Sequence, residues 1–181
     1  MGMIDAPSAF QLPAALLAQG YTLRPETEDD VPFLLRLYGS TREEELAQAQ
    51  GWSAEMKQAF IAQQFQAQRH HYKTQIPNCS YQVIERDGAP VGRLYLEERV
   101  TQLHITDIAL MPEARGQGVG QAMLEALIES ARARGKALGI FVEKFNPALR
   151  LYRRLGFVEI QDAEVYLEME RPLDGAAAPV S

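Results

Sequence analysis

Apolar positions along this chain switch between a period near two and a period near 3.6, and each switch marks the border of an element. Tyr21-Thr22-Leu23-Arg24-Pro25 reads as a short first strand, with Pro25 placing it near a sheet edge or ending it. Thr27 is a suitable N-cap, and Glu28, Asp29 and Asp30 follow in the first turn, where acids suit the helix dipole. Val31, Leu34, Leu35 and Tyr38 then recur at helical spacing, Gly39-Ser40 interrupts them, and residues 43–50 suit a further short helix. Ser53 caps a second long helix whose stripe of Met56, Phe60, Gln63/Gln64 and Ala67 reaches His71 or Tyr72. After a linker at 75–78, residues 81–86 predict a strand, Asp87-Gly88 a hairpin turn and residues 90–98 the returning strand.

The next predicted strand, residues 102–111, is irregular. Leu103 and Ile105 alternate in one phase and Ile108 and Leu110 in the other. A β-bulge near Thr106-Asp107 produces such a slip, and so does a strand buried on both faces, where phase carries no meaning. Val119, Met123, Leu127 and Ala131 then form a helical stripe, widened by Leu124 and Ile128 and closed by Gly135. Residues 138–142 read as a buried strand. Asn146 predicts a helix cap with Pro147 at the first helical position and Gly156 just past the end. Residues 157–161 and 164–170 complete the pattern as a hairpin. The order of elements gives an α/β (α+β) chain with a mixed, mostly antiparallel sheet and helices on both faces.

At 181 residues the length suits one domain with a sizeable core, placed at residues 21–171. The apolar patch in residues 10–17 has no basic flank, is broken by Pro13 and is too short to span a bilayer, so residues 1–20 read as an arm packed on the domain or on a second subunit. Residues 172–181 read as a flexible tail. A net charge of −6 argues against a nucleic-acid partner and is compatible with a cationic acceptor. The single Cys79 leaves no intrachain disulfide and suits a reducing cytoplasm, and without a paired His it is no credible nucleophile. His70-His71 lacks a Cys or acidic partner at ligand spacing, so no metal site is expected.

The stretch Asp107-Ile108-Ala109-Leu110-Met111-Pro112-Glu113-Ala114-Arg115-Gly116-Gln117-Gly118-Val119-Gly120 carries the densest chemical signal. An apolar strand runs into an Arg/Gly loop that opens a helix. Alternating glycines remove side chains from the turn, the helix start adds unpaired N–H donors and the positive end of its dipole, and Arg115 adds a charged fork. Together these form an anion cradle suited to a diphosphate. The alternative is a turn that needs glycine only for close packing. No Gly-Lys-Ser/Thr follows, which excludes a P-loop. Read as a dinucleotide fingerprint from Gly116, the third glycine position falls on Gln121.

Arg115-x-x-Gly118-x-Gly120 after Leu110-Met111-Pro112 resembles the acetyl-CoA pyrophosphate loop of the GNAT superfamily of N-acyltransferases. The run Asn146-Pro147-Ala148-Leu149-Arg150-Leu151-Tyr152-Arg153-Arg154-Leu155-Gly156-Phe157 resembles that superfamily's second motif, in the expected order. The resemblance implies a central sheet of about six to seven strands and acetyl-CoA as cosubstrate. It also implies transfer of the acetyl group to a primary amine of a small molecule or peptide by direct attack, with no nucleic-acid or membrane partner and a possible homodimer. Backbone groups of Ile108, Ala109 and Leu110 would hold the pantetheine arm, and Arg115, Gly116, Gln117, Gly118, Val119 and Gly120 the diphosphate. Asn146 and Tyr152 would also meet the coenzyme.

Acyl transfer further requires a stabilised oxyanion and a proton for the leaving thiolate. The resemblance puts the Leu110 N–H at the oxyanion and Tyr152 beside the sulfur. A phenol with its ordinary pKa of about 10 is protonated at neutral pH and able to donate. Tyr152 shares its stripe with Ala148, Leu151 and Leu155, so a packing role is the alternative. Asp107, Glu98 and His104 are candidates for a base, beside an ordered water. Tyr38, Arg42, Trp52 and Tyr72 are candidate liners of the acceptor pocket, with Glu43, Glu44 and Glu45 available for an ammonium group and Arg42 for a carboxylate. A different class of reading is a non-catalytic acyl-CoA-binding or sensing module on the same fold.

Overall fold

Residues 10–76 and 78–173 are described by the structure, a computed structural model. In chain order the elements are α1 (Ala14–Ala18), β1 (Tyr21–Pro25), α2 (Val31–Thr41), α3 (Glu43–Ala47), α4 (Ala54–Gln75), β2 (Cys79–Arg86), β3 (Ala89–Glu98), β4 (Gln102–Leu110), α5 (Val119–Ala133), β5 (Ala137–Glu143), α6 (Leu149–Arg154), β6 (Val158–Ala163) and β7 (Tyr166–Arg171). Seven strands form one sheet in the order β1-β2-β3-β4-β5-β7-β6. Every neighbouring pair is antiparallel except β4 and β5. Asp87 and Gly88 both take positive φ, as a two-residue hairpin turn requires. Residues 1–9 and 174–181, which carry the first part of the expected arm and most of the expected tail, lie outside the described residues. Among the described residues no helix is long and apolar enough to cross a membrane.

The two faces of the sheet are covered differently. One face meets α1, α5 and α6 in a large apolar core that includes Leu16, Ile84, Leu94, Leu103, Ile105, Met123, Leu127, Leu138 and Met169. The other meets α2 and α4 in a smaller core of Phe33, Leu34, Leu37, Tyr38, Phe65 and Val83. All six positions of the predicted α5 stripe are buried, and Gly135 ends the helix at φ +67°. Ile108 and Leu110 pack on the same core as Leu103 and Ile105. The register explains how: Tyr95 pairs with Asp107 and Leu96 with Ile105, so Thr106 is an extra residue. The phase slip in the sequence is therefore a bulge.

Three boundaries differ from the sequence reading. α2 continues through Gly39-Ser40 to Thr41, because the hydroxyls of Ser40 and Thr41 bond back to the carbonyls of Leu37 and Tyr38, both at 2.6 Å. α4 is rotated from the expected stripe: Phe65 is buried and Ile61 packs beside it, while Met56 is 51% exposed. Its weak apolar signal lets ion pairs choose the rotation, with Arg69 at 2.9 Å from both Glu26 and Glu28. α6 starts at Leu149, not Pro147, because the Asn146 side chain accepts from the Ala148 N–H at 2.8 Å in a turn that precedes the helix.

Two outcomes follow from this packing. A Cβ on Gly92 would lie 2.4 Å from the Ala109 carbonyl oxygen of the adjacent strand. Gly92→Ala is expected to lower the unfolding free energy by about 1–3 kcal/mol or more in urea titrations. His104 is buried against Phe141, and burial, followed by the charge of Arg99, pushes its pKa down to about 4. Its unfolded value is about 6.5, so the unfolded chain binds the extra proton and stability falls as pH drops from about 6.5 towards 4, by up to ~1.4 kcal/mol per pH unit. Unfolding of His104→Asn measured across that window should show a slope shallower by about one proton; an unchanged slope assigns the acid sensitivity elsewhere.

Candidate active site

Parallel pairing of β4 with β5 runs from Gln102 opposite Ala137 to Ile105 opposite Ile140 and stops there. β4 nevertheless continues to Leu110 and β5 to Glu143. The bulged Thr106 sits at the point of departure, and a bulge bends its strand. Its hydroxyl is buried without a hydrogen-bond partner among the described residues. Beyond it, Met111 N–H donates to Val91 C=O at 2.8 Å, which makes Leu110 and Gly92 a non-hydrogen-bonded pair. By alternation, Ile108 and Leu110 turn their backbone groups into the slot between the parted strands, whereas Ala109 and Asp107 turn theirs to β3. Ala109, named from the sequence as a backbone contact, does not face the slot.

The loop after β4 reaches α5 through a short 3-10 turn, Pro112–Ala114. Gly116 and Gly118 take φ of +74° and +80°. A Cβ built on Gly116, Gly118 or Gly120 meets nothing within 4 Å, so close packing does not explain these glycines. They front open space, and the amides that begin α5 have no intrahelical acceptor. A bare, donor-lined concavity of this kind fits the diphosphate of a nucleotide thioester. One detail corrects the sequence reading: the Arg115 amide is committed to Pro112 C=O at 3.2 Å. Its guanidinium lies on the Leu110 carbonyl at 2.9 Å and on Ser40 Oγ at 3.3 Å. Gln117 is held by Glu113 C=O at 3.1 Å, and Val119 is buried in the core.

Tyr152 is buried, with its ring edge-on to Phe157 at 5.5 Å. Its hydroxyl bonds to none of the described residues. Burial, followed by the negative charge of Asp107, pushes its pKa up to about 12, so it holds its proton throughout the neutral range. Asp107 also bears on Tyr72, whose pKa is raised by burial first and by that carboxylate second. Asp107 thus bears on both Tyr72 and Tyr152, and Tyr72 lines a small polar hollow with Arg93 and Tyr95. Asp107 is ion-paired to Arg93, which sequence reasoning did not single out. The alternation of β3 reads Arg93 and Tyr95 as solvent-facing, whereas α4 covers them. Glu98 is engaged by Arg134 at 2.7 Å and Lys136 at 2.6 Å, and His104 Nδ1 lies 3.0 Å from Gln102 Oε1; both stand in the framework.

Of the candidate liners, Tyr72 alone joins this group. Tyr38 packs in the smaller core, 6.1 Å from Phe65. Arg42 bridges to Glu143 at the end of β5, at 3.0 Å, and to Glu45 at 3.3 Å. Trp52 is 40% exposed and meets Phe60 edge-on. Among the described residues no group of three His, Cys, Asp or Glu side chains is placed to hold a metal ion.

The cradle makes a separable forecast. Gly120 lies inside the first turn of α5, so Gly120→Ala should stabilise the fold by roughly 0.5–1 kcal/mol while placing a methyl group in the concavity. A higher Tm together with weaker coenzyme A binding is expected; unchanged calorimetric affinity would remove the diphosphate from this loop.

Comparison with known proteins agrees with this geometry. The acetyltransferase (GNAT) family profile matches residues 41–157. A Bacillus subtilis protein named for alanine N-acetylation of ribosomal protein bS18 is 32% identical over 89 residues, covering 48% of this chain and 59% of the relative. A Methanocaldococcus jannaschii protein named as an N-acetyltransferase is 27% identical over 165 residues, covering 84% and 67%. The chain thus spans about three fifths to two thirds of the length of these two relatives. The PaiA N-acetyltransferase of Thermoplasma acidophilum, solved with coenzyme A, has a TM-score of 0.61 at 14% identity, with 84% of this chain and 98% of that one covered, and shares the fold. The chain therefore belongs to the GNAT acetyltransferase family, whose cosubstrate is acetyl-CoA.

Proposed function

We propose that this protein transfers the acetyl group of acetyl-CoA to a primary amine by direct attack within a ternary complex. One observation carries the reading: β4 leaves β5 beside an open glycine cradle, with Asp107 just past the bulge at the departure point. Acetyl-CoA brings an acyl group already activated as a thioester. The amides at residues 116–121, free among the described residues, hold its diphosphate, Asn146 also meets the coenzyme, and Arg115 swings out from the Leu110 carbonyl. Ile108 and Leu110 pair with the pantetheine arm as an added strand. The Leu110 N–H, which strand alternation turns to the slot, is the donor this reading assigns to the oxyanion.

Tyr152 serves as the acid. A phenol whose pKa lies near 12 is fully protonated at neutral pH and gives its proton to the departing sulfur. Asp107 offers its carboxylate to the incoming amine, and Tyr72 lines that approach. The name of the Bacillus relative makes a peptide with a free N-terminal alanine the first acceptor to try. The reading takes the chain to be cytoplasmic, in keeping with its lone thiol, and self-association through the edge strands β1 and β6 as a homodimer is part of it.

Tyr152→Phe should lower kcat by ~10²–10⁴-fold while the dissociation constant for acetyl-CoA stays within a few-fold. Stopped-flow turnover beside a binding titration separates the two, and an unchanged kcat rejects Tyr152 as the acid. Coenzyme A release followed with a thiol reagent across primary amines and the alanyl peptide tests the activity itself. Binding without release on any acceptor would favour a non-catalytic acyl-CoA-binding module.

A further inference from the structure

The polar side of the sheet beside the slot holds a buried cation that the mechanism above does not use. Arg93 is 4% exposed. Its Nε donates to Asp107 Oδ2 at 2.6 Å, and one Nη contacts the same oxygen. That Nη also donates to Gln68 Oε1 on α4 at 2.9 Å. The guanidinium carbon lies 4.8 Å from the centre of the Tyr95 ring. Tyr95 is itself fixed through its hydroxyl to Glu26, a buried carboxylate that also takes Arg69 and Lys73. Three elements thus fix the arginine, and the arginine fixes one oxygen of Asp107. The other oxygen, Oδ1, bonds to none of the described residues, and the Asp107 side chain keeps 22% of its surface open.

A buried ion pair is a poor device for stability alone, since apolar groups of similar volume often serve as well or better. The bulge adds a second reason to look for function here. Were Thr106 paired in a regular ladder, it would take the place opposite Tyr95, and Asp107 would fall opposite Leu94 and point into the large apolar core. The fold turns this carboxylate out of the core, holds one oxygen and leaves the other at the mouth of the slot.

We infer that Arg93 is a positioning residue which holds the Asp107 carboxylate so that its free oxygen faces the slot and receives the ammonium group of the acceptor. The inference rests on the acyl-transfer reading and deepens it by naming the group that seats the acceptor. A carboxylate with one oxygen held by a charge-assisted hydrogen bond presents the other to a cation in a fixed direction. The ammonium gives one proton to water before its lone pair attacks; once Tyr152 has protonated the departing sulfur, the surplus proton on nitrogen returns through water to the Tyr152 oxygen. The titratable and charged groups around Asp107 are Arg93 and Tyr95 on β3, Tyr72 on α4 and Tyr152 on α6. Both forms of these neighbours are accounted for: the tyrosines stay neutral and the arginine stays charged across the neutral range.

The test uses the full chain as Arg93→Met, Arg93→Lys and, as a milder probe, Gln68→Ala, each checked for folding by circular dichroism. Binding of the alanyl peptide to the complex with coenzyme A is followed by calorimetry. Its dissociation constant should rise about tenfold in Arg93→Met and return towards the wild-type value in Arg93→Lys. In turnover with the alanyl peptide, KM for the peptide should rise about tenfold in Arg93→Met while KM for acetyl-CoA stays within about twofold. Gln68→Ala should move both readouts in the same direction by less. An unmoved peptide affinity and peptide KM in folded Arg93→Met overturns the inference. So does an equal loss of affinity for both substrates, which is what a purely structural role predicts. If the chain binds acetyl-CoA but acetylates no amine, the acyl-transfer reading fails on its own, and the calorimetric comparison still decides whether Arg93 seats the ammonium group.

Discussion

A single extra residue in β4 sets the geometry on which the site depends. Thr106 has no partner in β3, so the strand beyond it is bent and its side-chain phase is reversed. The bend ends pairing with β5 after four residue pairs. It leaves the inward-facing backbone groups of Ile108 and Leu110 without a strand to bond. The reversal returns Ile108 and Leu110 to the apolar core while turning Asp107 to the polar face. A regular strand would have closed the slot and buried the carboxylate among leucines. Unpaired backbone groups within a sheet are costly unless something bonds them, and an extended amide-bearing arm is a natural complement.

The two faces of the sheet divide the labour between stability and recognition. The face under α1, α5 and α6 is almost wholly apolar and carries most of the core. The face under α2 and α4 begins as a small apolar cluster and becomes polar towards the slot, through Gln68, Arg69, Tyr72, Lys73, Arg93, Tyr95 and Glu26. Every charge there has a partner: Glu26 with Arg69 and Lys73, and Asp107 with Arg93. Such a paired network in a low-dielectric setting stiffens the wall beside the reaction centre, with only Asp107 Oδ1 left over among its described carboxylate oxygens. The glycine cradle is its opposite, bare of side chains and held in shape by positive φ at Gly116 and Gly118.

Arg115 connects the two ends of the slot. Its guanidinium rests on the Leu110 carbonyl, one of the groups that would pair with a pantetheine amide, and reaches Ser40 at the end of α2. Engagement of a diphosphate by Arg115 and exposure of the Leu110 carbonyl are therefore linked, because one side chain serves both positions. The same region carries the Arg42–Glu143 pair, which ties the end of α2 to the end of β5 across the parted strands.

The chain's own pattern determined the elements, because apolar periodicity and end signals act locally: Asp87-Gly88 dictates its hairpin and Gly135 its helix end, while the phase slip at residues 105–108 was open to a bulge or a doubly buried strand until the register decided for the bulge. The glycine cradle was legible for the same reason, since a turn that tolerates no side chains must spell itself in glycine. Tertiary structure alone decided which polar residues are buried. Arg93 and Tyr95 alternate like solvent-facing positions, and only the rotation of α4, chosen by Arg69 with Glu26 and Glu28, covers them. It likewise committed Tyr38 to the core and Trp52 to Phe60, and drew Tyr72 to Asp107. Contacts between residues far apart in the chain depend on how one element rotates against another, and a helix as polar as α4 leaves no local trace of that choice.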